Sequence, residues 1–243
     1  MVVKGLRSHL EDLLEAAVRK RLSYKDFLRL LATYPCPSEL DSTNFRDILA
    51  KIKKLSDEVA KAPESLSLLN RRTKDLRGKG YTPLLVDCLG LPEVYEVYAK
   101  ITEKCGTLAV SVEPYINALA LTSEFKRAYR SQSMLDVAKA SLGTSLYKSP
   151  DKVVHEKLGE AMALDSLLSS AERTLKNIAD KLGEDAVKNK RAFIISDHGY
   201  EVYYSPPDKC PPDKYYLGHG PKSRLAKIAP LIIVECDHAM LSL

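Results

Sequence analysis

Apolar residues recur every three or four positions along the first third of the chain, which is the spacing of one face of an α-helix. The first such series contains Leu6, Leu10, Leu13, Leu14 and Ala17. Ser23 is placed to cap a second helix over 24–33, which the Pro-Cys-Pro at 35–37 then ends. Further helical periods precede Pro63 and cover 64–76. We therefore predict a helical N-terminal region over residues 1–76.

The pattern changes at Tyr81, where short apolar runs begin to alternate with helical periods. The runs fall at 82–86, 107–112, 145–148, 191–196 and 231–234. The helical periods between them cover about 92–103, 118–141 and 153–183. This alternation predicts an α/β domain over 77–243, with a mostly parallel sheet flanked by helices. The segment 199–220 is rich in Tyr, Pro and Gly and is expected to form a hairpin or ordered loop over the carboxyl end of the sheet.

Charge and cysteine content narrow the possibilities. The net charge of +5, from 37 basic and 32 acidic residues, is too small to indicate a nucleic-acid-binding protein by itself, although it suits a phosphate-bearing partner. The five cysteines form no CxxC pair, so reduced buried thiols are predicted rather than disulfides or a zinc knuckle. No apolar run approaches the roughly 20 residues that cross a bilayer, and the N-terminus lacks the features of a signal peptide. A cytoplasmic protein that does not bind membranes is therefore expected.

Acidic and histidine side chains follow several of the predicted strands. Asp87 and the pair Asp197–His198 end two strands, and Asp151 follows a third. Ligands bind beyond the carboxyl ends of strands in open α/β sheets, so these residues are expected at one edge. Aspartate and histidine are ligands of zinc, and several carboxylates placed together repel one another without a cation. Each residue alone has a plainer interpretation, since Asp151 could simply cap a helix and Asp87 or Asp197 a turn.

Four segments together resemble the alkaline phosphatase superfamily and, within it, the PglZ domain family. They are LLVDCLG at 84–90, the DKVVH-containing segment at 149–175, AFIISDHGY at 192–200 and YLGHG at 216–220. The resemblance covers about residues 81–236, and its specificity lies in the order and combination of the segments. The helical residues 1–76 lie outside it.

The resemblance implies a centre that holds two divalent metal ions, with zinc as the leading ion and manganese or magnesium as alternatives. One ion would be held by Asp151, His155 and His219, and the other by Asp87, Asp197 and His198. The remaining histidines, His9 and His238, are interpreted as structural or solvent-exposed.

The nucleophile position departs from the superfamily's pattern. Its enzymes place a Ser or Thr early in a helix after the second strand, and in this chain that position falls on Asn117. Asparagine cannot form a phosphoryl ester, so water would have to attack directly while Asn117 orients the substrate or caps the helix. Thr122, Ser123 and Ser111 are the alternatives if the register differs. Thr122 is expected to lie about 7 Å further along the helix and to be too remote.

The resemblance implies a metal-dependent phosphoesterase-like protein that hydrolyses or transfers phosphate or sulfate esters. The alternative is a catalytically weak or inactive metal-binding module that binds a phosphorylated partner or nucleic acid. The basic run at 71–79 would then be part of the binding surface for that partner. A solvated linker is the favoured interpretation of the run.

Overall fold

A computed structural model describes residues 4–147, 149–207 and 209–236. The first part of the chain is helical, as the apolar spacing predicts. Its helices are α1 (Lys4–Arg19), α2 (Tyr24–Thr33), α3 (Glu39–Asn44), α4 (Arg46–Lys61) and α5 (Leu66–Gly78). Ser23 caps α2 by accepting from the backbone N–H of Asp26, whose side chain bonds back to Ser23.

The remaining helices lie between and beside the strands. They are α6 (Leu91–Cys105), α7 (Thr122–Ala128), α8 (Met134–Asp136), α9 (Ser149–Glu156), α10 (Leu164–Ala171) and α11 (Asn177–Lys188). π-Helical turns extend α8 over Val137–Leu142 and join α10 to α11 over Glu172–Lys176. The single helices predicted over 118–141 and 153–183 are therefore each divided into shorter pieces.

The main sheet has five strands in the order β2-β7-β4-β1-β3. The strands are β1 (Thr82–Val86), β2 (Val110–Ile116), β3 (Leu146–Tyr147), β4 (Arg191–Ser196) and β7 (Ile228–Glu235). β1 pairs in parallel with β3 and β4, whereas β7 pairs antiparallel with both β4 and β2. The sheet is therefore mixed, and the prediction of a mostly parallel sheet is wrong.

The reversal of β7 follows from the segment that precedes it. Residues 197–227 stay at the edge where β4 ends, and they form the hairpin of β5 (Glu201–Ser205) and β6 (Lys214–Gly218). A parallel return would need a crossover to the opposite edge, usually a helix. The only helix in the described parts of this segment, 197–207 and 209–227, is the short 3₁₀ turn Leu225–Lys227. The chain therefore re-enters the sheet from the edge it has reached, while β1, β2, β3 and β4 point in one direction.

The N-terminal helices and the sheet share one apolar core. A continuous cluster of buried side chains joins Leu10 and Leu14 of α1 to Val97 of α6 and to Val112 of β2. β7 is buried from Ile228 to Val234, as expected for a strand with helices on both faces. The hairpin packs in a separate cluster, where Tyr215 and Leu217 lie with Leu28 of α2 and Leu158. Among the described residues, no helix is both long and apolar enough to cross a membrane.

Two disulfides contradict the prediction that all cysteines are reduced. Cys36, after α2, is bonded to Cys210 in the hairpin loop, and Cys105, at the end of α6, is bonded to Cys236 after β7. The partners are 174 and 131 residues apart, so no local spacing reveals them. Such bridges are typical of oxidising compartments and of the intracellular proteins of hyperthermophiles. Cys88 is a buried free thiol.

Candidate metal centre

Adjacent strand ends place the first acidic residues of the centre. Val86 of β1 is paired with Ser196 of β4, so Asp87 and Asp197 leave the sheet side by side. The backbone N–H of Asp87 donates to the carbonyl of Tyr147 at 2.9 Å, which continues the β1–β3 ladder by one residue. Asp87 is half-buried, whereas Asp197 and His198 are fully buried. The register of the sheet therefore determines where this part of the centre lies.

Asp87, Asp197 and His198 form a first group, in which no two ligand atoms are more than 4.8 Å apart. The Nε2 of His198 is 3.2 Å from Oδ2 of Asp197. The Nδ1 of His198 is 2.9 Å from the carbonyl oxygen of Gly199, which can only accept a hydrogen bond. Nδ1 is therefore the donor in this contact, and Nε2 faces the carboxylates. Holding the distal ring nitrogen in this way is typical of metal-ligating histidines.

Asp151, His155 and His219 form a second group within the same 4.8 Å limit. Asp151 and His155 lie one turn apart on α9, with Nε2 of His155 at 3.3 Å from Oδ1 of Asp151. The Nε2 atoms of His155 and His219 face each other at 2.9 Å. His219 directs its Nδ1 to the carbonyl of Ala120 at 3.0 Å, which leaves its Nε2 for the group. Two imidazole nitrogens that converge beside a carboxylate suit a cation such as zinc.

The two groups belong to one centre that opens to solvent on one side. The rings of His198 and His219 lie with their centroids 4.2 Å apart, so the groups are in contact. The side chains of Asp197 and His198 are 0% exposed, whereas that of His155 is 55% exposed. The structure thus brings the six predicted ligands close together in two groups of three, and a third group joins His198 and His219 to Cys88. His9 is half-buried on α1, and His238 lies outside the described residues.

In the second group, Asp151 and His219 each shift the other's pKa toward the charged form. The interaction with His219, whose Nε2 lies 3.7 Å from Oδ1, aided by the charge of His155, lowers the pKa of the Asp151 carboxyl, although burial acts in the opposite direction. Burial would lower the pKa of His219, but its interaction with Asp151 and its bond to the carbonyl of Ala120 outweigh burial and raise that pKa. The charge of a protonated His219 would offset the negative charge of Asp151. A divalent cation would offset it more fully.

Thr122 lies beside Asp197 and His198, so the prediction that it is too remote from the centre is wrong. Its hydroxyl donates to Oδ2 of Asp197 at 2.7 Å and lies 3.3 Å from Nε2 of His198. Thr122 is the first residue of α7, because β2 continues to Ile116 and residues 117–121 form a turn. The prediction that Thr122 is too remote assumed that the helix begins at Ala118. The turn instead brings Thr122 back to the centre, with Ala120 in a left-handed conformation at φ +50°.

Asn117 is fully buried and supports this turn. Its amide nitrogen donates to the carbonyl of Leu121 and to that of Asp197, each at 2.9 Å, and its side-chain oxygen accepts from the N–H of Leu121 at 3.4 Å. The Asn117 side chain is thus engaged with backbone groups. It links the Thr122 turn to the strand end that carries Asp197.

A buried carboxylate behind the centre was not found from the sequence. Glu93 of α6 accepts from Tyr24 at 2.5 Å and Tyr200 at 2.7 Å, and from the N–H of Gly90 at 3.0 Å. Burial raises the pKa of Glu93 to about 7, against these hydrogen bonds, which lower it. The capping position of Glu93, three residues after Gly90, is visible in the sequence, but its tyrosine partners are not. This cluster connects α2 to the loops that carry Asp87 and His198.

In comparisons with known proteins, the chain matches no protein-family model, no curated protein and no solved structure. Any function assigned to it therefore depends on the geometry of the centre and on the order of the four segments that resemble the alkaline phosphatase superfamily.

Proposed function

We propose that this chain is a metal-dependent phosphoesterase with an alkaline-phosphatase-like, PglZ-type α/β domain and Thr122 as its nucleophile. One observation carries the proposal. The hydroxyl of Thr122 donates to Asp197 at 2.7 Å within a group of Asp and His side chains that a divalent ion prefers. A hydroxyl adjacent to a general base and to candidate metal ligands is the arrangement of an activated nucleophile.

The donor sets fit two divalent cations, each with two carboxylates and one imidazole or one carboxylate and two imidazoles. Such mixed oxygen and nitrogen ligands suit zinc first, and manganese or magnesium as alternatives. When bound, these cations would polarise the phosphoryl group and stabilise the charge that develops on the attacking and leaving oxygens.

The residues of the chain account for the remaining steps. Oγ1 of Thr122 forms a bond to phosphorus while the bond to the leaving alkoxide breaks. The hydroxyl proton passes to Oδ2 of Asp197, to which it already donates, and the alkoxide takes a proton from solvent. Asn117 holds the turn that presents Thr122. Water then attacks phosphorus and the bond to Oγ1 of Thr122 breaks, which releases phosphate. Asp197 returns the proton to Thr122, and the proton of the attacking water goes to solvent. The half-exposed side of the centre, at His155, is the side from which an ester enters.

The proposal is tested by removing and restoring metal. The purified protein is treated with chelator, reloaded with zinc, manganese or magnesium, and assayed on chromogenic phosphate monoesters, phosphate diesters and sulfate esters. We expect activity only after reloading, with the Asp197→Ala variant inactive under every condition. Turnover that persists in excess chelator would show that the mechanism is different.

The alternative is a metal-binding module without activity that binds a phosphorylated partner or nucleic acid. The basic run at 71–79 gives it only partial support, because two of its five basic residues, Arg72 and Lys79, pair with acids of the same chain. Arg72 bonds to Glu113 at 2.9 Å and to Asp75 at 3.0 Å, and Lys79 bonds to Asp75 at 3.0 Å. Metal binding without hydrolysis of any ester would favour this alternative.

A further inference from the structure

Cys88 lies where the two metal groups meet. Its sulfur and the nearest ring nitrogens of His198 and His219 are all within 4.8 Å of one another. His198 belongs to the group with Asp87, and His219 to the group with Asp151. A thiol and two imidazoles form a set of zinc ligands in their own right. Neither the resemblance nor the proposed mechanism assigns a role to this cysteine.

The backbone holds Cys88 in an unusual conformation. Its φ of +65° lies in the left-handed region, where a residue with a β-carbon is disfavoured and glycine is the ordinary choice. The N–H of Cys88 donates to Oδ1 of Asp197 at 3.1 Å, and the N–H of Leu89 donates to the carbonyl of His198 at 3.0 Å. These bonds fix the turn and direct the side chain inward. Such strain at a residue with a reactive side chain is typical of functional sites.

Cys88 is present as a free thiol. Burial and the neighbouring charge of Asp197 raise the pKa of this thiol well above its ordinary value, so a bound cation would be needed to form the thiolate. All five cysteines lie within the described residues, and Cys88 is the one outside the two disulfides. It is fully buried, and its thiol makes a weak hydrogen bond to the carbonyl of Gly199 at 3.6 Å. A thiol with such a weak partner can exchange it for a metal ion without breaking a strong interaction.

We propose that Cys88 is a thiolate ligand of the metal centre, together with His198 and His219, and that it makes the centre selective for zinc over magnesium and manganese. On binding, the S–H bond breaks, the proton leaves to solvent, and a sulfur–metal bond forms, so no oxidant or reductant is required. Thiolate is a soft ligand that favours zinc, whereas magnesium and manganese favour oxygen ligands. This inference rests on the metal centre of the proposed function.

The test uses cobalt(II) as a spectroscopic substitute for zinc. The full chain, with its disulfides intact, is freed of metal and titrated with cobalt(II). We expect a thiolate-to-cobalt charge-transfer band in the near ultraviolet together with visible d–d bands. Cys88→Ser should lose the charge-transfer band and keep the d–d bands, which also shows that the variant is folded. The Cys36→Ser/Cys210→Ser double variant is the matched control and should keep both.

A second measurement addresses selectivity. Cys88→Ser should weaken zinc binding by about tenfold or more, since even indirect partners of a metal ligand contribute about 10–100-fold, and should change manganese binding by less than about twofold. Cobalt d–d bands without a charge-transfer band in the wild-type protein would overturn the role of Cys88 while leaving the metal centre intact. Failure of the wild-type protein to bind cobalt or zinc would overturn both the inference and the proposed function.

Discussion

The hydroxyl of Thr122 lies 2.7 Å from Oδ2 of Asp197, although 75 residues separate them in the chain. Two independent features produce this contact. The end of β4 fixes Asp197, and the turn before α7 returns Thr122 to the same edge of the sheet. The bond gives the hydroxyl a proton acceptor and places it beside His198.

Thr122→Val should abolish phosphoesterase activity, whereas Thr122→Ser should retain most of it. Valine has the shape of threonine but no hydroxyl, and serine keeps the hydroxyl. Loss of the nucleophile should reduce kcat/KM by roughly 10³-fold or more. Steady-state kinetics on a chromogenic phosphate ester, with metal content measured in parallel, checks this. Equal activity of the valine variant would exclude covalent catalysis by Thr122 and return attention to direct attack by water.

Asn117→Ala should lower the stability of the folded protein. The variant removes a fully buried amide that bonds to Leu121 and Asp197, so buried carbonyls lose their donor. We expect the free energy of unfolding to fall by about 1–3 kcal/mol, as measured by urea denaturation. Activity per folded molecule should fall less than in Thr122→Val. Asn117→Ser with undiminished stability and raised activity would instead indicate that position 117 is the nucleophile position.

Much of this arrangement could be predicted from the sequence, because the end of a strand is recognisable where an apolar run gives way to a polar residue. The apolar runs before Asp87 and before Asp197 mark two strands, and adjacent strands that point in one direction end at one edge. Asp151 and His155 are four residues apart, which places them on the same face of α9 once a helix forms.

Other features depend on tertiary structure that local spacing does not encode. The start of α7 at Thr122 follows from the continuation of β2 to Ile116, and the residues from Ala118 to Leu121 have apolar side chains that suit a helix equally well. The direction of β7 is set by where the chain leaves the hairpin. The partners of Cys36 and Cys105 are distant in sequence.

His155→Ala should reduce the number of bound metal ions from two per chain to one. His155 contacts Asp151 at 3.3 Å and His219 at 2.9 Å, whereas Asp87, Asp197 and His198 form the other group. Metal analysis after equilibrium dialysis measures the ratio, and His9→Ala serves as the control that keeps two. Zinc at about 100 times its Kd should also raise the free energy of unfolding by about 2.7 kcal/mol. Two ions retained by the His155 variant would contradict the division of the centre.

Removing the Cys105–Cys236 bridge should destabilise the protein. The bridge ties the end of α6 to the residue that follows β7, and its partners are 131 residues apart. Loss of such a cross-link costs about 2–5 kcal/mol, chiefly through the greater freedom of the unfolded chain. Urea denaturation of the Cys105→Ser/Cys236→Ser variant in the presence of chelator checks this. In a variant that also lacks Cys36 and Cys210, the urea midpoint should not change when reductant is added. If reductant leaves the urea midpoint of the wild-type protein unchanged, that result would count against both bridges.

Glu93 should make the metal-free protein less stable as the pH rises. The groups that face this carboxyl are the hydroxyls of Tyr24 and Tyr200 and the N–H of Gly90. Burial raises its pKa from 4.5 to about 7, so the folded state holds a proton that the unfolded state has already lost. The stabilisation is therefore complete below pH 4.5, declines as the pH increases, and is lost once the pH passes about 7. It is on the order of 3 kcal/mol.

Glu93→Gln isolates this contribution because glutamine does not titrate. The urea midpoint of wild-type protein should fall between pH 5 and pH 8 by more than that of the variant, at constant ionic strength and with chelator present. Glu103→Gln, which changes an exposed residue of the same helix, should keep the wild-type dependence. All titrating groups other than Glu93 are shared by wild type and Glu93→Gln, so the difference in slope between these two proteins belongs to Glu93. Identical slopes for wild type and Glu93→Gln would mean that the carboxyl is ionised in the folded protein throughout this range, with the two tyrosine hydroxyls and the Gly90 N–H sufficient to stabilise its charge.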